Sequence, residues 1–361
     1  MEQTKHLPLS LYGLEAETIA EILSLTKNFQ AKQIFNWLVK GVYTFEAMTD
    51  LPKAERERLS SLMSSACSSS IHTSETDESG ATKMGIRLHD GKVVECVLLV
   101  DKKGRHTACL SSQVGCAQGC TFCRTGTMGL FRNLSAEEII EQYIHLLSAS
   151  KQPITHIVYM GMGEPLANIA PVTRSIRYFH NPKTFNISLR RITVSTCGVV
   201  PGILKLAEQK LPVKLAVSLV SADNRLRDRI MPVNQTWDIM TLKKALLHYQ
   251  RLGGKRFTIE YCMLGNTNTD EISAKKLASY VRDLDVIVNL IPWNPAEELP
   301  YQTPTEEEID HFTLLLDRLH VNYTRRRSRG REINGACGQL AVPINKGLAL
   351  DYESMVDEDD E

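Results

Sequence analysis

Three cysteines lie close together near the end of the first third of the chain, at Cys116, Cys120 and Cys123. Their spacing lets one short loop aim all three thiols at the same point. A structural zinc site would normally add a second Cys or His pair at comparable spacing, and none follows Cys123. Three thiolates on a four-iron cluster would leave one iron open to another ligand. We therefore predict a 4Fe-4S cluster here, with zinc or a loose group of thiols as the alternatives.

Polar residues and glycines stand at the ends of several predicted strands further along the chain. A glycine lets a ligand approach the backbone, a carboxylate can accept a hydrogen bond from an amine, and an amide can both donate and accept. Each could instead be an ordinary strand-end residue, but their shared position favours contact with a small ligand. The residues predicted to contact it are Gly163, Glu164, Ser195, Ser218, Leu219, Val220 and Asn294.

Two further cysteines are candidates for reactive thiols. Cys337 lies in a loop close to two glycines, and accessible thiols in loops are the reactive ones. Cys109 lies on the predicted strand before the three cysteines and can point toward the same site as they do. Either one alone would more often be a buried core cysteine. The cysteines interpreted as core residues are Cys67, Cys96, Cys197 and Cys262.

The elements that must position these residues are β-rich segments alternating with helical patterns. We predict strands near residues 106–112, 154–160, 190–195, 213–219, 255–262 and 286–291. Six βα-type units predict an α/β fold with a parallel sheet, here an open (β/α)6 partial barrel. By analogy with closed barrels, chemistry is expected at the C-terminal ends of the strands. We also expect two helical segments within 220–254, a capped helix over 305–320 and a strand over 321–327.

The flanking regions differ in composition from this alternating core. Residues 14–65 have helical spacing, and the mixture of basic and aromatic residues in Lys27–Lys40 is either an RNA-facing surface or, more commonly, a packed helix with a solvated edge. Residues 64–80 predict a linker or loop, and Asp90-Gly91 predicts the turn of a β-hairpin. We divide the chain into a helical domain and linker (1–79), a catalytic domain with the hairpin extension (80–347) and an acidic tail expected to be disordered (348–361).

Composition excludes some classes of protein. The chain carries 42 basic and 42 acidic residues, so RNA contact has to come from local patches. Its nine cysteines show no disulfide framework, and no signal peptide precedes them, which favours the cytoplasm. We find no apolar run long enough for a membrane span. The basic candidates for RNA contact are Lys102, Lys103, Arg105, Arg124, Arg132, Arg190, Arg191, Arg325, Arg326, Arg327, Arg329 and Arg331.

Several longer motifs resemble the RlmN/Cfr family of radical SAM RNA methyltransferases, and the resemblance spans nearly the whole chain. The spacing of the three cysteines is that of the radical SAM superfamily. The other matching segments are Cys109–Cys116, Gly161–Pro165, Ser195–Thr196, Gly198–Pro201, Asn289–Pro295 and Ala336–Leu340. The resemblance implies a cluster whose open iron binds the amino and carboxylate groups of S-adenosyl-L-methionine (SAM), and an adenosine of 23S rRNA, or also of tRNA, as substrate.

The resemblance further implies roles for individual residues. One SAM methylates Cys337, and a 5′-deoxyadenosyl radical from a second SAM takes a hydrogen atom from that methyl group. The carbon radical adds to C2 of adenine, and Cys109 resolves the adduct by forming a disulfide with Cys337. Glu95 matches the family's proposed acid–base group. A reducing electron donor must then restore the thiols, and we assume a monomer.

Two departures from the family pattern keep alternatives open. Val220 stands where the family usually has His, and Gly335 stands where it usually has Ala. The segments around Glu164 and Asn294 favour the C2-specific branch. The alternatives are a C8-specific methyltransferase, a divergent paralogue acting on another RNA and, from another class, a zinc-stabilised RNA-binding protein without catalysis.

Overall fold

The computed structural model describes residues 10–253, 256–296, 298–326 and 330–341. Within these ranges the strands are β1 (Ser70–Thr76), β2 (Thr82–Arg87), β3 (Val93–Val100), β4 (His106–Cys109), β5 (Gln113–Cys116), β6 (Gly129–Asn133), β7 (Ile154–Tyr159), β8 (Ile192–Thr196), β9 (Lys214–Ser218), β10 (Phe257–Met263), β11 (Val286–Pro292) and β12 (Tyr323–Arg325). The α-helices are α1 (Ala16–Ile22), α2 (Asn28–Val39), α3 (Lys53–Leu62), α4 (Arg124–Thr127), α5 (Ala136–Ala149), α6 (Ile169–His180), α7 (Val200–Glu208), α8 (Asn224–Ile230), α9 (Val233–Thr236), α10 (Ile239–Arg251), α11 (Glu271–Val281) and α12 (Glu306–Arg318).

Ten of these strands form one sheet in the order β1-β2-β3-β4-β7-β8-β9-β10-β11-β12. The strands from β4 through β7 to β12 are parallel, with helices in the connections between them. Strands β1 to β4 add an antiparallel extension. Among the described residues, no strand pairing closes β12 back onto β4. The predicted α/β class with an open parallel sheet and a hairpin extension is thereby confirmed.

The predicted boundaries agree with the structure where burial is strong. The six predicted strands correspond to β4 and β7 to β11, and β2 and β3 form the predicted hairpin. The Thr305 hydroxyl accepts from the Glu308 N–H at 3.2 Å, and the Glu308 carboxylate accepts from the Thr305 N–H at 2.9 Å, which completes the predicted capping box of α12. Such reciprocal bonds satisfy N–H groups that the first turn of a helix leaves free.

Four predictions were wrong in detail. The predicted linker at 64–80 contains β1, which pairs with β2 along the edge of the sheet. The predicted strand at 106–112 ends at Cys109, and a separate strand, β5, leads into the cysteine loop. Residues 220–253 contain three helices rather than two because the four-residue α9 intervenes. The predicted strand at 321–327 is reduced to β12 over its described part.

The helical N-terminal segment packs onto the barrel through a buried polar cluster. Ser69 Oγ donates to the Glu141 carboxylate at 2.5 Å and lies 3.0 Å from His145 Nε2. Both partners belong to α5, so these bonds join the chain between α3 and β1 to a helix of the catalytic region. No helix in the described part of the chain is long and apolar enough to cross a membrane. The predicted acidic tail, and residues 342–347 of the predicted catalytic domain, lie outside the described residues.

Candidate active site

The loop that carries Cys116, Cys120 and Cys123 begins at the end of β5 and ends where α4 begins. The Trp293 indole N–H donates to the Phe122 carbonyl oxygen at 2.9 Å, which ties the loop to the segment after β11. Gly126 packs so closely that a Cβ there would lie 2.6 Å from the Cys120 carbonyl oxygen. Only glycine leaves room for this approach, so the local sequence fixes how the loop is folded.

The three cysteines line one cavity at the C-terminal ends of the parallel strands, and we call it the cluster cavity. Ten of the thirteen predicted site residues line it: Cys116, Cys120, Cys123, Gly163, Glu164, Ser195, Ser218, Val220, Asn294 and Cys337. Leu219, Cys109 and Glu95 do not line it. Cys197 and Cys262, which the sequence analysis interpreted as core residues, also face this cavity.

The chemistry of the three thiols indicates which of the two predicted metal groups, a 4Fe-4S cluster or a zinc ion, they can bind. Burial raises the pKa of Cys116 to about 12 and also raises the pKa values of Cys120 and Cys123, so a positively charged metal centre would be needed to ionise them. Within the described ranges, no three Cys, His, Asp or Glu side chains are arranged to hold one ion. In a four-iron cluster each thiolate binds a different iron, so the sulfurs need not meet at one ion. The donor set therefore fits a cluster better than zinc.

Glu164 is buried beside the cysteines, after the end of β7. One carboxylate oxygen accepts from the Leu166 N–H at 2.9 Å, and the other accepts from the Cys197 N–H at 2.8 Å. Burial raises the pKa of this carboxyl, while these two hydrogen bonds act in the opposite direction. The side chains of Thr196 and Cys197 also hydrogen-bond to this carboxylate. An amine in the cluster cavity would thus meet an acceptor whose position is already fixed.

The glycines of this turn make room for the neighbouring chain. A Cβ on Gly163 would lie 2.5 Å from the Gln113 Cβ, and one on Gly161 would lie 2.8 Å from the Leu110 carbonyl carbon. Gly163 also has a φ of +96°, which side chains rarely allow. The sequence analysis assigned such glycines to the approach of a ligand. Their nearest partner is instead the segment after β4, and this close packing sets the position of Glu164.

Val220 adopts an unusual backbone conformation at the edge of the cluster cavity. Its φ is 59°, in the left-handed region, where a β-branched residue costs roughly 1–3 kcal/mol. The Asn268 side-chain N–H donates to the Val220 carbonyl at 2.8 Å and helps to hold this conformation. The neighbouring Leu219 is fully buried, so its side chain belongs to the core. The strained residue is the one that departs from the family's usual His.

Arg227, on α8, is a fully buried guanidinium that the sequence analysis missed. It donates to the carbonyl oxygens of Cys197 at 2.5 Å and Leu219 at 3.0 Å, and to Asn234 Oδ1 at 3.0 Å. Burial lowers its pKa. These bonds connect the segments that follow β8 and β9, and so hold Ser195 and Ser218 in position beside the cavity.

The loop that carries Cys337 is anchored on two sides. The Asn294 side-chain N–H donates to the Cys337 carbonyl at 3.0 Å, while Asn294 Oδ1 accepts from Arg331 Nε at 2.7 Å. The Arg124 N–H donates to the Gly338 carbonyl at 2.9 Å. Cys337 is thereby fixed relative to both β11 and the cysteine loop. The Asn294 amide, which was predicted to contact a small ligand, already has two protein partners.

Cys337 also lines a second cavity, of about 390 Å³, which we call the thiol cavity. Cys109, the last residue of β4, lines the thiol cavity. Both residues are free thiols in this structure, as are the other seven cysteines, so the disulfide implied by the family resemblance is not formed. Cys337 is thus the cysteine that lines both cavities among the described residues, and in the thiol cavity it shares the lining with Cys109.

A charged pair that the sequence analysis did not predict, Arg326 with Glu260, lies at the junction of the two cavities, where Arg326 faces the thiols although it was predicted to contact RNA. The Cys337 sulfur raises the pKa of Arg326, and Glu260 and Cys109 act in the same direction. Glu260, on β10, faces the cluster cavity and accepts from the Asn289 side chain at 2.7 Å. Burial raises the pKa of Glu260, and Arg326 counteracts this shift. A guanidinium therefore stands beside the two thiols, with a buried carboxylate as its counter-charge.

Glu95 lies on β3 and faces neither cavity. One of its oxygens accepts from the Ala341 N–H at 2.9 Å, and the other lies 3.4 Å from the Lys83 ammonium. Burial raises the pKa of this carboxyl and Lys83 lowers it. Glu95 thus contacts the chain that follows the Cys337 loop, and its acid–base role stays a prediction.

Several predicted RNA contacts already have protein partners. Arg124 pairs with Glu298 at 2.9 Å, and Arg132 pairs with Glu138 at 2.8 Å. Arg325 also makes ion pairs, to Glu306 and Asp310. Arg327 and Arg329 lie outside the described residues. Arg105 pairs with Asp101 at 3.2 Å, and Arg331 donates to Asn294. The remaining exposed basic candidates are Lys102, Lys103, Arg190 and Arg191.

Two family models match this chain. The model described as the radical SAM superfamily matches residues 110–277. The model described as the ribosomal RNA large subunit methyltransferase N-terminal domain matches residues 10–64. The two matches cover the cysteine loop, the barrel strands from β7 to β10 and the helical N-terminal segment.

Curated relatives and a solved structure match nearly the whole chain. A probable dual-specificity RNA methyltransferase RlmN from Treponema pallidum is 42% identical over 334 residues, which are 92% of this chain and 97% of the relative. A protein of the same name from Carboxydothermus hydrogenoformans is 42% identical over 87% of this chain and 92% of its own length. The crystal structure of a radical SAM methyltransferase from Sphaerobacter thermophilus matches with a TM-score of 0.86 and 38% identity, over 92% of this chain and 99% of that one.

Proposed function

We propose that this chain, which belongs to the RlmN family of radical SAM RNA methyltransferases, methylates C2 of an adenosine in 23S rRNA. One observation carries the proposal. Cys337 lines the cluster cavity with Cys116, Cys120 and Cys123, and it lines the thiol cavity with Cys109. A single thiol therefore faces a SAM site on one side and a second thiol on the other. This arrangement supports a reaction in which Cys337 carries the methyl group.

The family's cofactors, a 4Fe-4S cluster and SAM, fit the residues of the cluster cavity. The three cysteines of the loop would hold the cluster, and Glu164 would accept a hydrogen bond from the SAM amino group. Ser195, Ser218 and Val220 would line the rest of the SAM site. When bound, the two cofactors supply an electron and a primary carbon radical that can remove a hydrogen atom from a methyl group.

The electronic character of adenine explains why a protein thiol is needed. C2 is an electron-poor carbon and does not attack the methyl group of SAM as an amine would. We propose that Cys337 first accepts a methyl group as a thioether, and that this methyl group reaches C2 as a methylene. The adduct would return one electron to the bound cluster and lose the C2 proton. Cys109 would then attack the Cys337 sulfur, the bond between that sulfur and the methylene carbon would break, and the carbon would take up a proton to become the methyl group of the released RNA. Glu95, whose pKa is raised by burial, would take the C2 proton.

The substrate has to expose a base that is shielded inside a stacked helix. Extruding the adenosine into the mouth of the barrel would bring C2 to Cys337. Relatives named as dual-specificity enzymes support a second RNA substrate, which we propose to be tRNA. An external electron donor and a reducing compartment, such as the cytoplasm, complete the proposal because the thiols must be restored after each turnover.

The proposal is tested by incubating the reconstituted enzyme without oxygen with SAM, a reductant and fragments of 23S rRNA, followed by mass spectrometry of the nucleosides. Cys337→Ala is the test variant. Cys96→Ala is its control because Cys96 is buried on β3 and faces neither cavity. We expect 2-methyladenosine from the wild type and the control, and none from Cys337→Ala.

Other outcomes would redirect the assignment. 8-Methyladenosine would move the chain to the C8-specific branch. Cleavage of SAM without any methylated adenosine would leave the cluster assignment intact and refute the RNA substrate. A colourless protein that contains zinc and does not cleave SAM would contradict the whole proposal.

A further inference from the structure

Cys109 faces a different space from the cluster cysteines. It lines the thiol cavity and not the cluster cavity. Thr107 lies two residues earlier on β4, hence on the same face of the strand, and it lines the thiol cavity as well. Leu99, the partner of Thr107 on β3, is a third lining residue. The thiol cavity therefore follows β4 back from Cys109 toward the beginning of the strand.

Exposure to solvent increases along this path. Cys109 is only 6% exposed, whereas Leu99 and Thr107 are half-buried and Arg105, in the turn before β4, is exposed. The turn lies at the N-terminal ends of the parallel strands, opposite the cysteine loop. A small molecule can thus approach the two thiols from that end without crossing the cluster cavity.

We infer that the thiol cavity admits a small dithiol reductant that reduces the Cys109–Cys337 disulfide between turnovers. The inference rests on the proposed function, because the disulfide is a product of that reaction cycle. The thiol cavity would then be a second entrance to the enzyme. RNA and SAM would use the C-terminal ends of the strands, and the reductant would use the side of β4.

The reaction in this cavity is thiol–disulfide exchange. One thiolate of the reductant attacks the Cys109 sulfur, the Cys109–Cys337 bond breaks, and its electron pair leaves with the Cys337 sulfur, which then takes up a proton. The second thiol of the reductant displaces Cys109 from the mixed disulfide. The reductant becomes a disulfide, and the enzyme gains two electrons and two protons.

The charges at the junction of the cavities favour this direction of attack. Arg326 lines both cavities together with Cys337, so its guanidinium lies at their junction. Exchange is faster when the departing sulfur is better stabilised as a thiolate. Attack on Cys109 makes Cys337 the departing sulfur, so the positive charge is next to the group that needs it.

Access is tested first, by a measurement that needs no turnover. The reconstituted enzyme is treated with iodoacetamide, with and without saturating SAM, and alkylation of Cys109 is followed by peptide mass spectrometry. Thr107→Trp fills the cavity and Thr107→Val keeps its volume. Thr193→Trp is the matched control, since Thr193 is half-buried on another parallel strand, β8, and lines neither cavity.

We expect Thr107→Trp to slow the alkylation of Cys109 at least tenfold, while Thr107→Val, Thr193→Trp and bound SAM leave the rate within about twofold. Equal rates in the wild type and Thr107→Trp would overturn the inference. Protection of Cys109 by SAM alone would overturn it as well, because access would then run through the cluster cavity. Thermal unfolding and iron content establish that the variants are folded and loaded.

The role in reduction is tested next. After a single turnover with RNA, dithiothreitol is added and the return of free Cys109 and Cys337 is timed by alkylation. We expect Thr107→Trp to give wild-type product in the first turnover and at least tenfold slower reduction. Equal reduction rates would refute the reductant route. If the wild-type enzyme forms methyladenosine but no disulfide, both the proposed mechanism and the reduction of a disulfide through the thiol cavity are refuted. The alkylation experiment would still show whether small molecules reach Cys109 through this cavity, because it needs no turnover.

Discussion

The side-chain amide of Asn294 donates a hydrogen bond to the carbonyl oxygen of Cys337 at 3.0 Å. Asn294 lies just after β11, so this bond joins a parallel strand of the barrel to the loop that carries the central thiol. The other end of the amide accepts from Arg331 Nε at 2.7 Å, which keeps the side chain from rotating. The position of Cys337 between the two cavities depends on this relationship.

Replacing Asn294 with Ala tests that dependence. Losing a hydrogen bond that orients a buried loop costs about 1–2 kcal/mol, so we expect methyladenosine formation to fall about tenfold. SAM cleavage should change by less than about threefold because the cluster cysteines do not depend on this bond. Asn322→Ala, an exposed asparagine in the loop before β12, is the control. Equal losses of SAM cleavage and methylation would show that Asn294 serves the SAM site instead.

Val220→His restores the family's usual residue at a strained position. His adopts left-handed backbone more readily than a β-branched residue does, and its ring can donate a hydrogen bond into the cluster cavity. We expect the KM for SAM to fall about threefold to tenfold, as one hydrogen bond of about 1 kcal/mol gives, without loss of thermal stability. Val220→Ala, which removes the β-branch and adds no donor, should not lower the KM. A higher KM in the His variant would contradict this account.

Two glycines should respond in opposite ways to the same substitution. A Cβ on Gly335 would meet its nearest neighbours at 3.4 Å, so Gly335→Ala should fit and stabilise the fold by about 0.4–1 kcal/mol through the unfolded chain. At Gly163 the same atom would lie 2.5 Å from the Gln113 side chain, at a φ of +96°. We expect urea unfolding to show Gly163→Ala destabilised by more than about 2 kcal/mol. Destabilisation by Gly335→Ala would mean that the Cys337 loop needs the freedom of glycine.

His145, on α5, should make the free energy of unfolding depend on pH. Its Nε2 lies 3.0 Å from Ser69 Oγ and 3.6 Å from the Cys67 sulfur, and burial lowers its pKa to about 4 from the ordinary 6.5. Between these two values the unfolded chain binds a proton that the folded chain does not. Stability therefore falls as the pH decreases through this window.

His145→Gln removes the contribution of His145 to this pH dependence, because glutamine keeps a polar side chain and does not titrate. Between pH 7 and pH 5 we expect the wild type to lose about 2 kcal/mol more unfolding free energy than the variant does, measured by urea unfolding of the cluster-free chain. His248→Gln, at an exposed position on α10, is the control. Parallel losses in the wild type and His145→Gln would show that His145 is already protonated when folded.

The parallel strands could be predicted from the sequence because apolar and β-branched residues dominate them, as in Ile154–Tyr159 and Val286–Pro292. Strand β1 could not be predicted from the sequence. All seven residues of β1 are exposed, and the strand lies at the edge of the sheet. Its backbone pairing with β2 defines it as a strand, and its sequence has no apolar pattern that would predict one. The same reason explains why the sequence analysis interpreted Ser70–Thr76 as a linker.

The candidate site was only partly predictable, for a related reason. The cysteine triplet and Cys337 are marked by spacing or by neighbouring glycines, whereas Arg227 has no local pattern that distinguishes a buried guanidinium from a solvated one. Glu260 had a signal that could have found it, since it is the one carboxylate in the otherwise apolar Phe257–Met263. Charged residues inside buried strands rarely occur without a partner, and here Arg326 is that partner.

The most direct test of the account is the isotopic composition of the methyl group made from SAM with a fully deuterated methyl group, CD₃. If Cys337 carries the group, one deuterium is removed from the thioether before the carbon joins adenine. The account predicts 2-methyladenosine with at most two deuterium atoms and one deuterium in the 5′-deoxyadenosine released. Three deuterium atoms in the product would mean direct transfer from SAM and would contradict the role of Cys337.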